Sequence, residues 1–113
     1  DLSEEEKRAV REDLDEEELA VFDMLGRDKK ISDKEKAELK GIAKALLERL
    51  KEKEFNIIHW ADKEQTASAV RVVIKDYLFD KLPYPTFEET DIDEKTDVLF
   101  QFFKTRYAGG VAA

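Results

Sequence analysis

The sequence predicts an all-α domain of about five helices packed around a central helix that is buried on two faces. Three observations carry this. Only 4 glycines and 2 prolines occur in 113 residues, so there is little turn material of the kind that strand-rich folds need. Hydrophobic and charged residues each make up 42% of the chain, enough to fill a core and to clothe helices in charge. Helix-capping residues stand directly before runs of apolar residues spaced three and four apart, and this agreement between levels specifies a helical fold.

The first such signal is Ser3-Glu4-Glu5-Glu6, a capping-box spacing that predicts a short helix from about Glu4 to Glu12. Its sizeable apolar residues are Leu2, Val10 and Leu14, so the helix is expected to be peripheral. Asp15 offers a second cap, followed by Glu16, Glu17 and Glu18, whose charges suit the positive end of a helix dipole. Leu19, Phe22 and Leu25 then fall on one face, Val21 and Met24 widen it, and Gly26 is a natural stop. Ser32 and Glu35 repeat the capping box before the clearest amphipathic stripe in the chain: Leu39, Ile42, Ala43, Leu46, Leu47 and Leu50. The segment Phe55 to Trp60 breaks the period and is expected to be an extended connector that delivers Trp60 to the core. Asp62 is the expected cap of the next helix, which runs from about Lys63 to Lys81 and ends before Pro83 and Pro85. Val70, Ile74, Tyr77 and Leu78 lie on one side of it, Val72 and Phe79 on the other. That pattern makes it the central, two-sided helix. Thr90 is the expected cap of the last helix, along which Ile92, Leu99, Phe103 and Tyr107 align, with Phe100 and Phe102 broadening the face.

The length suits a single domain over residues 1–113. The chain has no cysteine, which excludes disulfides and thiolate metal sites and points to a cytoplasmic setting. Its apolar runs are far shorter than the roughly 18 residues of a membrane span, so no membrane partner is expected. The sequence opens on Asp1 rather than a methionine, and is read as a piece of a longer protein whose tail, Gly109 to Ala113, is either native or added.

The net charge of −8 is concentrated at the start. Residues 1–18 hold ten acids against Lys7, Arg8 and Arg11, whereas residues 19–54 hold ten bases against eight acids. Bulk acidity of this kind repels phosphate, which argues against a general nucleic-acid binder.

Residues that carry chemistry are few. His59 is the one histidine, without a second histidine or a cysteine to make a ligand set, and reads as structural. The glycines match neither phosphate-binding loop pattern. The acidic runs Glu4 to Glu6 and Glu16 to Glu18 are explained by their place in first helical turns, ahead of any metal or paired-carboxylate reading. No catalytic residue and no cofactor is therefore expected in this chain. Lys36, Lys40 and Lys44 step by four along one flank of the third helix, with Lys51 near the same line. Such a stripe can follow a phosphate backbone, although lysines flanking an apolar face are commoner as solvated cover. Arg71 stands among apolar positions of the fourth helix, either ion-paired or turned into an interface. Tyr84, Phe87 and Tyr107 lie near loop or helix ends. They are interface anchors if exposed and lids over the core if not.

From Trp60 onward, Trp60, Lys63, Ala67, Val70, Arg71, Ile74, Asp76, Leu78 and Leu82-Pro83 resemble the C-terminal domain of type I restriction enzyme R subunits. Upstream, Glu17-Glu18-Leu19-Ala20 with Asp23 and Leu25 resembles the opening of that domain, and Lys95, Asp97 and Phe100 its last helix. His59 departs from the pattern, standing where a more acidic residue is usual. In that family an endonuclease domain and two RecA-like motor domains precede a helical C-terminal part, so the resemblance implies a parent that is an ATP-dependent type I site-specific deoxyribonuclease. The resemblance implies a docking domain that joins the motor subunit to the methyltransferase core of M and S subunits. Because the family's catalytic motifs belong to the preceding domains, no catalytic position carries over. The alternatives are a DNA-contacting module using Lys36, Lys40 and Lys44, and an unrelated regulatory helical domain.

Overall fold

A computed structural model describes residues 2–107, so the Gly109 to Ala113 tail lies outside the described residues. Five α-helices follow in order: α1 (Glu4–Glu12), α2 (Glu16–Gly26), α3 (Asp33–Glu52), α4 (Glu64–Lys81) and α5 (Glu89–Tyr107). Two 3-10 turns, Glu54–Asn56 and Trp60–Asp62, join α3 to α4, and no strand occurs among the described residues. The body is flat, 40 × 38 × 19 Å. Helices α2 and α3 form one closely packed pair and α4 and α5 the other, with α3 against α4 and α2 against α5 closing the core between them. Helix α1 packs chiefly on α2.

The three N-terminal caps form as expected. Ser3 with Glu6, Asp15 with Glu18, and Ser32 with Glu35 each make the reciprocal pair of backbone-to-side-chain hydrogen bonds, so free amides at each helix start find partners. The next two caps differ. Asp62 sits inside the second 3-10 turn, where its amide donates to the His59 carbonyl and its carboxylate faces His59 Nδ1 at 3.3 Å. It is thus unavailable to α4, which starts after Lys63 with no side-chain cap. Helix α5 begins at Glu89, ahead of Thr90, because Asp91 accepts from the Glu88 amide at 2.8 Å and closes the turn one residue earlier.

The connector is compact rather than extended. His59 adopts the left-handed conformation, φ 57°, a region that histidine enters more readily than most non-glycine residues. This reverses the chain between the two 3-10 turns and drives Phe55 and Trp60 inward, both fully buried. Their rings stack with centroids 5.3 Å apart, Phe55 stacks in turn on Tyr107 at 4.7 Å, and Phe100 meets Trp60 edge-on at 6.2 Å. The indole Nε1–H donates to the Tyr107 carbonyl at 2.7 Å, which satisfies a late carbonyl of α5 that has no partner within its own helix. One aromatic cluster thereby ties the connector to the end of the last helix.

Helix α4 is not buried on two faces. Val70, Ile74 and Leu78 are buried and Val73 and Tyr77 pack beside them, but Val72 and Phe79 face outward. Among the described residues no further element covers that side. The most enclosed helix is α3, whose six apolar stripe residues are all buried between α2, the first 3-10 turn and α4.

Candidate functional site

Two surface features gather the residues that carry chemistry or recognition. The first is the lysine stripe of α3. Glu12, the last residue of α1, stands between two of its ammonium groups, 3.3 Å from Lys36 Nζ and 2.5 Å from Lys40 Nζ. Asp13 lies 3.6 Å from Lys44 Nζ, and Glu17 lies 3.3 Å from Lys51 Nζ. The Lys40 hydrogen bond, helped by Lys36, holds the Glu12 carboxyl below its ordinary range against the opposing effect of burial. Glu17 also accepts from Arg106 Nε at 2.9 Å and from the Tyr107 hydroxyl, at the edge of a shallow concavity lined by Lys51, Phe102 and Arg106. Burial alone would raise its carboxyl pKa, but hydrogen bonds from Arg106 and Lys51 outweigh that and lower it. Across the body, the buried Lys95 ammonium pairs with Asp28, whose carboxyl it likewise holds low.

These depressions carry a sign. A carboxyl held lower in the folded state than in the unfolded chain contributes stability above the unfolded value, and that contribution is lost as pH falls through the folded one. With Glu12, Glu17, Asp28, Glu35 and Asp91 all lowered, the melting temperature is expected to hold steady from neutrality to about pH 5 and to fall below about pH 4. Thermal melts across that range check it, and a melting temperature unchanged to about pH 3 would contradict it.

The second feature is the outward ridge of α4. Val72 is 56% exposed and Phe79 is 67% exposed. Being seven residues apart, they lie on one side of the helix, two turns from each other. Ser68, Lys75 and Asp76, all exposed, flank them. Beyond the helix end, in the Pro83 to Pro85 turn, Tyr84 is 82% exposed.

The residues singled out from sequence divide between surface and core. Tyr84 is exposed, so its role as an anchor stands open. Phe87 and Tyr107 are buried and are lids rather than anchors: Phe87 is held in place by the turn in which its amide donates to the Pro83 carbonyl, 3.0 Å away, and Tyr107 by its ring stacking and its bond to Glu17. Arg71 is ion-paired to Asp97 of α5, with its guanidinium 4.5 Å from the centroid of the Phe100 ring, which makes it a brace between α4 and α5. His59 is exposed and faces Asp62. Val72 and Phe79, expected from periodicity to form a second buried face, lie on the surface instead. The signal that could have found them is the one-way nature of the burial rule, since apolar residues also occupy surfaces. Among the described residues, no group of three or more His, Asp or Glu side chains converges to hold a metal ion, and no helix is long and apolar enough to cross a membrane.

A small helical domain with an apolar ridge on one helix and an ion-paired lysine flank on another is the class that fold and surface define. The chain belongs to the family described as type I restriction enzyme HindI endonuclease subunit-like, C-terminal, whose model matches residues 1–102. No curated protein and no solved structure matches the chain.

Proposed function

We propose that this domain docks the endonuclease subunit of a type I restriction enzyme onto its methyltransferase core, acting in the cytoplasm and contributing partner binding rather than chemistry or a cofactor of its own. The observation that carries the reading is the ridge of α4. Large apolar side chains left in water without a covering element incur a hydration cost that a partner surface removes. Aromatic residues with a polar rim are also the usual composition of a protein contact. Phe79 and Tyr84 supply the aromatic groups, and Lys75, Asp76 and Asp80 supply the rim. The family's description names a subunit of an enzyme, which supports reading such a surface as a contact with another subunit. Removing this domain from the intact endonuclease subunit is expected to leave the motor folded and able to hydrolyse ATP while abolishing its co-purification with the methyltransferase. Undiminished assembly after the deletion would refute the docking role.

A further inference from the structure

We propose that α1 is an acidic guard over a DNA-binding stripe: Lys36, Lys40 and Lys44 of α3 take the phosphate backbone of duplex DNA when α1 lifts away. This is independent of the docking reading, because it concerns a different helix and a different ligand. Residues four apart on a helix rise by about 6 Å, so the three lysines are attached at even steps along one flank of α3. Each meets a carboxylate drawn from the end of α1 or the residue after it. Glu12, bridging two ammonium groups, occupies the place that a phosphate bound between two lysines would take. The acids are too few to cancel the row, since Glu12 serves two lysines and Asp13 is 3.6 Å from the third.

The guard is also lightly held. Of the nine residues of α1 only Ala9 is buried, and Val10 is exposed. Outside its ion pairs to α3, the helix is fixed mainly by packing on α2 and by the forked hydrogen bonds of Arg8 to Asp23, at 2.8 and 2.7 Å. The Asp13 pair is exposed and therefore weak and salt-sensitive, while the part-buried Glu12 divides one charge between two lysines. A polyanion offering many phosphates at regular intervals therefore competes well against two carboxylates. Residues 1–18, with ten acids and three bases, act as the tethered competitor that keeps the stripe closed. An evenly stepped row fits a regular phosphate backbone better than it fits an irregular acidic protein surface, and the family's description names a restriction enzyme endonuclease subunit.

The test is fluorescence anisotropy with a labelled duplex of about 20 base pairs at low and physiological salt, a length that exceeds the span of the stripe. The combined variant Glu12→Gln, Asp13→Asn is expected to bind at least about tenfold more tightly than the unaltered chain, with log K falling against log salt at a slope of about −2 to −3, the value for three phosphate contacts. Adding Lys36→Ala, Lys40→Ala and Lys44→Ala to that variant should abolish the gain. A second variant that lacks residues 1–13 removes the guard altogether and should show the same gain. If both unmasked variants keep the helical circular-dichroism spectrum yet bind DNA no better than the parent, or if the gain survives loss of the lysines, the proposal is overturned. Equal binding of polyglutamate would assign the stripe to an acidic protein instead and overturn the DNA assignment.

Discussion

Trp60→Ala is expected to destabilise the domain by about 3 to 5 kcal/mol, the range for removing a large buried aromatic side chain. The indole has no exposed surface and touches three consequences of the fold at once. It stacks on Phe55, it meets Phe100 edge-on, and it donates to the Tyr107 carbonyl. Alanine at this position leaves a cavity between the connector and α5 that the neighbouring rings fill only in part, and leaves that carbonyl without its partner. Trp60→Phe separates the two effects, because it keeps an aromatic body and removes the hydrogen bond. A loss of about 1 to 2 kcal/mol is expected for it, combining the missing bond with the smaller ring. Urea unfolding followed by circular dichroism measures both variants. A loss below about 1 kcal/mol for Trp60→Ala would contradict the anchoring role.

Val72→Asp combined with Phe79→Asp is expected to weaken binding to the methyltransferase core by about a hundredfold or more, the equivalent of one strong hot spot. Both side chains stand on the exposed ridge of α4, so a carboxylate in either place meets water in the free domain. In the complex it would be dehydrated against an apolar partner surface. The melting temperature is expected to change little, since substitutions at exposed positions away from caps and pairs usually stay within about 0.5 kcal/mol. A large loss of stability with unchanged binding would show that the ridge belongs to the core instead. The contrast with Trp60→Ala is direct: one change disturbs folding and spares the surface, the other does the reverse.

Much of this fold was legible because its signals are local. Ser3, Asp15 and Ser32 cap their helices through residues three positions on, a spacing that appears in the chain itself. The stripe from Leu39 to Leu50 repeats over enough turns to define a buried face without knowledge of its neighbours. The misses have a common physical origin in tertiary competition. Asp62 could serve as a cap until the turn around His59 took its amide and carboxylate, and Thr90 lost its role to Glu88 and Asp91 in the same way. The compact form of the connector around Phe55 leaves no sequence signal, because a 3-10 turn of three residues is too short to show a period. On α4, periodicity places Val72 and Phe79 opposite Val70 and Ile74, but whether anything covers that side depends on how many elements the fold has to spare. The lysine stripe was visible as a row of charges, whereas its covering by Glu12 and Asp13 joins residues 24 to 31 positions apart and has no local trace. Phe87 and Tyr107 could not be told from surface aromatics for the same reason: their partners, such as Glu17 for Tyr107, come from distant parts of the chain.

The docking role is tested most directly by calorimetric titration of this domain into the methyltransferase core at physiological salt, with duplex DNA titrated in parallel as the control ligand. Saturable binding to the methyltransferase with micromolar or tighter affinity, about −8 kcal/mol, is expected, and it should be lost in the Val72→Asp, Phe79→Asp variant while the unaltered domain gives no comparable heat with DNA. Micromolar binding to DNA by the unaltered domain, with none to the methyltransferase, would contradict it.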